Sequence, residues 1–228
     1  MDVCMHLIEL NKHFSTARLS RYLSACGGDA GRAASAYSHN LLVAESLFPL
    51  LNVLEIALRN AVHARLSAMY GRADWWLAWD GHPDFVWQLK EVHKAKGKLL
   101  RRRESINADK VVAELTFAFW GSLFNANYQD ELWKSLRLAF PNCPKVQRKR
   151  QNVSAVLNKL RHLRNRVFHH EPLLWLAPSV IDLHNMGVET VGWFDPKLAA
   201  WLERYDRLTA CWADWLKRYP PAGIPGTP

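Results

Sequence analysis

No two of the four cysteines, Cys4, Cys26, Cys143 and Cys211, are neighbours in the chain. No Cys-x-x-Cys pair is therefore present to seed a zinc site, and no disulfide framework is spelled out. The sequence also lacks an alternating apolar–polar stretch long enough for a dependable strand. It has no repeat of solenoid period and no clear domain linker. No apolar run reaches the length of a membrane helix without interruption, since the richest stretch, 47–58, is broken by Pro49, Asn52 and Glu55. The opening residues, MDVCMHLIELNKHF, have neither the basic start nor the long apolar centre of a signal peptide. These absences predict a soluble, cytoplasmic protein with reduced thiols and no membrane partner.

Negative charge is scarce. Against 30 Lys and Arg stand 21 Asp and Glu, a formal net charge of +9 in 228 residues, with a pI near 9.6. Such a balance favours a polyanionic partner, nucleic acid first. The distribution sharpens this. Eight Lys or Arg and no acid lie between Lys145 and Arg166, and seven Lys or Arg with one Glu lie between Lys90 and Arg103. Either run could be a solvated helix face; the two together favour an anion-binding surface. About half the residues are apolar, enough for a sizeable core.

The periodicity is helical nearly throughout. Asp29 is placed to cap a helix running towards Pro49. Leu47, Leu50, Leu51, Leu54, Leu58 and Val62 recur at three and four, so a helix continues or restarts there and ends by Gly71. Trp75, Trp76 and Trp79 read as a connecting segment. Further helices are expected from about Asp84 to Arg103, from Asn107 or Asp109 through Val112, Leu115 and Phe119, and from Asn127 to Leu138. A long basic helix should cover 146–170, followed by helices at 179–186 and 196–219. This gives one all-α domain over residues 1–219, with 71–107 as a candidate inserted lobe and a disordered Pro/Gly-rich tail at 220–228. The eleven tryptophans read as core or interface anchors, not as a stacking surface.

Within the basic helix, Val153, Val156, Leu157, Leu160, Leu163 and Val167 form one apolar stripe. Arg164 flanks that stripe, where a guanidinium is costly without an anion or acceptor. Arg161, Asn165 and His169 are spaced at four and share a second stripe. Five residues separate Arg164 from His169, about 140° around a regular helix. Pro172 disfavours helix at Glu171, so the helix must end or distort around the two histidines. A symmetric dimer facing two such helices would also unite the groups. The segment has no Ser or Cys nucleophile beside a base, no His-Glu-x-x-His and no glycine-rich phosphate loop. Histidine can move a proton near neutral pH, arginine matches a phosphate and the extra charge of its transition state, and asparagine can orient a hydroxyl. The set suits cleavage in which the substrate brings its own nucleophile, as RNA does with its 2′-hydroxyl, and neither metal nor cofactor is expected. Adjacent histidines that merely cap a helix are the plainer alternative.

The pattern Arg-Asn-x-x-x-His resembles the signature of the HEPN superfamily. The longer string Leu163-Arg164-Asn165-Arg166-Val167-Phe168-His169-His170-Glu171-Pro172 is similar to the form in Abi-like (abortive infection) proteins. Residues 19–30, Tyr37 to Asn40, Leu54 to Ala61, Phe119 to Phe124 and Leu136 to Pro141 extend the resemblance in order, over about residues 15–175. It implies a HEPN-like helical bundle with additional helices, paired in a homodimer with an RNase cleft between protomers. Carried over, Arg164 contacts phosphate, Asn165 orients, and His169 or His170 transfers the proton. Glu171 holds a histidine or Arg164 in place, and Arg59 and Asn60 support the site. Phe168 stands where a small residue is expected, and His39 where tryptophan is expected.

Two functions are thus expected. The first is a metal-independent endoribonuclease of anti-phage defence, governed by a regulatory RNA or an antitoxin. The second is a non-catalytic RNA-binding module. In both, Lys145, Arg148, Lys149, Arg150, Lys159, Arg161 and Arg166 are the candidate RNA contacts. A regulator acting through protein contacts alone is a third reading.

Overall fold

A computed structural model describes residues 7–219, with the side chain of Ile8 excepted; Cys4 and the 220–228 tail expectation lie outside them. Among the described residues all regular structure is helical, as the periodicity required. The chain forms two compact units. The first comprises the chain up to Leu50, Leu163–Asn185 and the chain from Tyr205; the second comprises Leu51–His162 and Met186–Arg204. Residues 71–107 fall wholly within the second.

The first unit contains α1 (Leu7–His13), α2 (Thr16–Ala25), the start of α3 (Ala30–Tyr70), the end of α8 (Arg150–Phe168), the start of α9 (Val180–Phe194) and α11 (Leu208–Arg218). Ser15 caps α2 through the N–H of Arg18, and Asp29 caps α3 through the N–H of Arg32 at 2.9 Å. Aromatic rings join its parts. Tyr22 is fully buried and packs against Tyr37 at 5.1 Å and Trp175 at 5.5 Å; Trp175 in turn meets Trp215 at 6.1 Å.

The α3 helix runs unbroken through Pro49. Pro49 removes one backbone donor, yet burial of Val43, Leu47, Leu50, Leu54, Leu58, Val62 and Leu66 along one stripe outweighs that loss. The sequence left a restart open; the structure has none. By length and composition α3 is also long and apolar enough to cross a bilayer, a property that the interrupting Pro49, Asn52 and Glu55 hid. Gly71, at φ +67°, ends it, and the Arg72 N–H closes back on the Ser67 carbonyl.

The second unit holds the rest of α3 with α4 (Val86–Arg101), α5 (Ala108–Glu114), α6 (Phe117–Ser122), α7 (Gln129–Leu136), the start of α8, the end of α9 and α10 (Pro196–Glu203). The tryptophan segment is more than a connector. It is a 3-10 helix, Trp75–Trp79, whose outer tryptophans are fully buried. Trp79 stacks on Phe85 at 4.2 Å, and Phe85 on Tyr128 at 5.0 Å. Two of the segment's indole N–H groups have acceptors: Trp75 donates to His63 Nδ1 and Trp79 to the Tyr70 hydroxyl, both at 2.9 Å, while the buried Trp76 N–H has none. Burial holds the His63 pKa below its usual value, with Asp109 opposing weakly.

Several helix limits differ from expectation for identifiable reasons. The helix expected from Asn107 through Phe119 is two. Asn107 caps α5, but Thr116 and Glu55 take the N–H groups of Phe119 and Phe117 and start α6 afresh. The 196–219 helix is also two, because the Asp206 carboxylate binds the Leu208 N–H and the Thr209 hydroxyl. The basic helix begins at Arg150, not near Val146, since Gln147 and Arg148 both turn back onto the Pro144 carbonyl.

The run from Lys90 to Arg103 is partly neutralised. Lys94 pairs with Glu91 at 2.6 Å, Lys98 with Glu114 at 3.8 Å, and Arg102 bridges Glu104 and Glu114. The sequence placed this run among anion-binding candidates; three of its cations already have carboxylates.

Candidate functional site

The segment singled out by the sequence terminates α8. Helical bonding persists to His169, whose N–H reaches the Asn165 carbonyl at 2.8 Å. His170 then donates to Val167 and Glu171 to Arg166, at 3.1 and 2.8 Å. That pair of bonds, 5→2 and 6→1, is a Schellman termination with His170 at its left-handed position. His170 has φ +57°. Glycine is the usual occupant, and a side chain there costs roughly 1 kcal/mol. The distortion expected before Pro172 is therefore present, and it falls on His170. His169 keeps helical register with Asn165. Arg164 remains about 140° from His169 around the axis by helix geometry.

The strained turn is braced from within the same unit. Arg18 Nη1 donates to the His170 carbonyl at 2.7 Å. Asn40 accepts from the Leu173 N–H at 2.7 Å and donates to the Glu171 carbonyl at 3.4 Å. Asn40 is 4% exposed, so its amide meets the backbone away from competing water. His39 sits at a resemblance departure; its Nε2 lies 3.0 Å from the Cys211 carbonyl, and its ring packs on Trp215 at 5.3 Å. Both His169 and His170 are exposed.

Phe168, the other departure, is 43% exposed. The Arg164 guanidinium carbon lies 4.4 Å from its ring centroid, one turn back on the helix. Phe48 of α3 approaches the same ring at 6.4 Å. The bulky residue thus serves as a shelf for Arg164. Glu171, expected to hold a histidine or Arg164, pairs with Arg166 at 3.1 Å, close enough for an ion pair though off-axis for a hydrogen bond.

The candidate RNA contacts divide sharply. Arg148 donates to the carbonyls of Phe140 and Pro141 at 3.3 and 3.4 Å. Arg150 binds Gln129 Oε1 at 2.8 Å and the Phe124 carbonyl at 2.9 Å. These two fasten the segment just after α6, the first residue of α7 and the segment that follows α7. Lys145, Lys149 and Lys159 are exposed, while Arg161 is half-buried. Arg59 and Asn60 belong to the second unit, where Arg59 Nε donates to Asn60 Oδ1 at 3.2 Å. Among the described residues no three His, Cys, Asp or Glu side chains cluster as metal ligands would.

Sequence reasoning missed Arg18 as a positioning residue and gave Asn40 no role beyond resemblance. A lone arginine 152 positions from its acceptor leaves no local signal. Comparison of the chain with family models, with curated proteins and with solved structures gives no match.

Proposed function

We propose that the protein is a metal-independent endoribonuclease acting through the end of α8. The observation that carries this reading is a pair of exposed histidines at a braced, left-handed helix end, following Arg164 and Asn165. Strain held in place by buried bonds is a feature of functional sites. In the reaction, the RNA 2′-hydroxyl attacks the adjacent phosphorus and the P–O5′ bond breaks. One histidine takes the 2′ proton, and the 5′ oxygen leaves as a hydroxyl after gaining a proton. The products are a 2′,3′-cyclic phosphate and a 5′-hydroxyl. Arg164 neutralises charge on the phosphoryl oxygens, and Asn165 orients the group.

Arg164 and His169 face different ways around one helix, so a second copy is proposed to complete the site. Exposed Leu41, Leu42, Phe48 and Phe168 in the same unit offer apolar surface for such a homodimer. The resemblance to Abi-like HEPN proteins adds the setting: cytoplasmic anti-phage defence, held silent by a regulatory RNA or an antitoxin. The test is incubation of the protein with RNA in EDTA. Cleavage is expected, with cyclic-phosphate ends, and is lost in His169→Ala/His170→Ala; no cleavage, or cleavage surviving both changes, removes the proposal.

A second reading has its own support. An arginine lying on an exposed phenylalanine is a stacking surface for unpaired bases. Salt-dependent RNA binding without cleavage would identify a non-catalytic RNA-binding module.

A further inference from the structure

Counted at about 100° per residue, Trp87, Lys90, Lys94, Gly97 and Arg101 of α4 fall within an arc of about 80°. Gly97 is half-buried and the other four are exposed. Lys94 is answered by Glu91, but Lys90 and Arg101 meet no carboxylate among the described residues. Gly97 stands in the interior of the helix, where glycine is unfavourable relative to alanine. Outside its chain neighbours and its own helix backbone, a Cβ added there would meet only Arg101 Nη1, at 3.8 Å. Packing therefore does not demand glycine. The residue leaves a low point in the middle of a basic face, with the Arg101 guanidinium beside it.

That face runs into a cavity of about 350 Å³ in the same unit, and Trp87 belongs to both. Its ring is backed by Phe119 at 6.4 Å with 23° between the planes, yet the residue is 44% exposed. The core thus supports the indole and leaves it open to a flat partner. Asn125, and Asn158 and Arg161 one turn apart on α8, line the rest of the cavity, and no carboxylate does. The Arg161 guanidinium meets His162 Nε2 at 3.5 Å. An acidic bilayer would draw Trp87 in together with guanidinium and amide groups that acyl chains cannot satisfy. An acidic peptide would answer the cations and leave the ring without a flat partner. An unpaired nucleic-acid strand uses every part: a base for the ring, phosphates for the cations, and a slender backbone for the low point at Gly97.

We infer that the exposed face of α4 and the adjoining cavity form a track for single-stranded RNA. One base lies on Trp87, Lys90 and Arg101 hold phosphates along α4, and Arg161 holds a phosphate at the cavity. The strand backbone crosses α4 at Gly97. From Trp87 to Arg101 the track follows about 21 Å of helix, at 1.5 Å per residue. Stacking on the ring requires an unpaired base, so duplex RNA is held by charge alone. The inference rests on the RNA readings above for the choice of strand, and deepens them by naming the substrate class. It does not need His169 or His170.

Binding is measured in the full-length His169→Ala/His170→Ala protein, where cleavage does not consume the probe. Fluorescence anisotropy compares labelled oligo(A) and oligo(U) with an RNA duplex of the same length, and flotation tests phosphatidylglycerol vesicles. Single strands are expected to bind about tenfold tighter than duplex, and Trp87→Leu should remove that margin, the size of one base–aromatic stack. Lys90→Gln, Arg101→Gln and Arg161→Gln should each lower the salt slope by about 0.7, the value for one phosphate of a single strand. Gly97→Leu favours the helix yet fills the low point, so it should weaken binding without lowering the urea midpoint. A glycine needed only for the fold would show the reverse. Equal affinity for duplex, indifference to Trp87→Leu, or attachment to vesicles with none to RNA overturns the inference. The nuclease reading keeps its own test: cleavage by the unaltered protein can survive a failed track, and the track profile can hold in a protein that does not cut.

Discussion

The two ends of α8 carry the same kind of residue and use it in opposite ways. At the start, Arg148 and Arg150 spend their guanidinium groups on backbone carbonyls and fasten neighbouring segments. At the finish, Arg164 lies over an exposed ring, Arg166 meets one carboxylate, and two histidines face solvent after a strained turn. One end is bound up in the fold; the other holds polar groups at the surface against a backbone preference. A run of positive charge in a sequence is therefore not one surface. Its members differ by what they find within reach.

The largest effect that would break this contrast is on cleavage. His169→Ala/His170→Ala is expected to lower RNA cleavage by roughly 10²- to 10⁴-fold, the range of general acid–base catalysis. Cleavage product should be followed by gel in EDTA. A smaller change would move the chemistry elsewhere. His170→Gly separates strain from function: it should stabilise the protein by roughly 1 kcal/mol by relieving the left-handed side chain. If His170 transfers the proton, cleavage should fall in the same variant. Denaturant midpoints and rates on one preparation decide both.

Next in size are the bracing and clamping residues. Asn40→Ala leaves the buried Leu173 N–H without its acceptor, and Arg150→Ala leaves the Phe124 carbonyl without its donor. Each should cost about 1–3 kcal/mol in urea unfolding. They should part company on RNA. Asn40→Ala is expected to reduce cleavage by loosening the turn, whereas Arg150→Ala should leave cleavage per folded molecule unchanged. Equal losses would erase the distinction between the two ends.

Lys145, Lys149 and Lys159 should give a smaller signal. Changing each exposed lysine to Gln should lower the salt slope of RNA binding by about one per phosphate contact, without moving the unfolding midpoint. The smallest effect belongs to the aromatic core. His63 accepts from Trp75 and has its pKa depressed by burial, so the unfolded chain takes a proton first. The associated stability is fully present above about pH 6.5, the ordinary histidine value, and is lost as pH falls from there through the folded pKa. His63→Gln, which can still accept from Trp75, should flatten that dependence in thermal melts between pH 7 and 5.

Local signals were legible where one turn of chain decided the outcome. Asp29 and Asn107 cap as read, Gly71 stops α3, and the three-and-four leucine spacing marks the buried stripe of α3. The end of the basic helix before Pro172 was legible too, because proline restricts the residue before it. Limits set by distant partners were not. Glu55 starts α6 from 62 residues away, and no local pattern foretells that bond. The buried 3-10 tryptophan helix was equally hidden, since three tryptophans in five residues read as a connector until His63 and Tyr70 accept from Trp75 and Trp79. Within the candidate site, residue types and spacing gave Arg164, Asn165, His169 and His170. The bracing by Arg18 and Asn40 required the folded chain.

By itself the sequence determined an all-helical chain, a net positive charge and a basic helix ending in two histidines. Those follow from periodicity, composition and proline sterics, which act within a turn or two of backbone. Only the tertiary structure decided which cations are spent and which remain at the surface. It also put His170 into a left-handed conformation held by Arg18 and Asn40. Hydrogen bonds between residues far apart in sequence made those choices, because a donor or acceptor is assigned only when its partner has arrived.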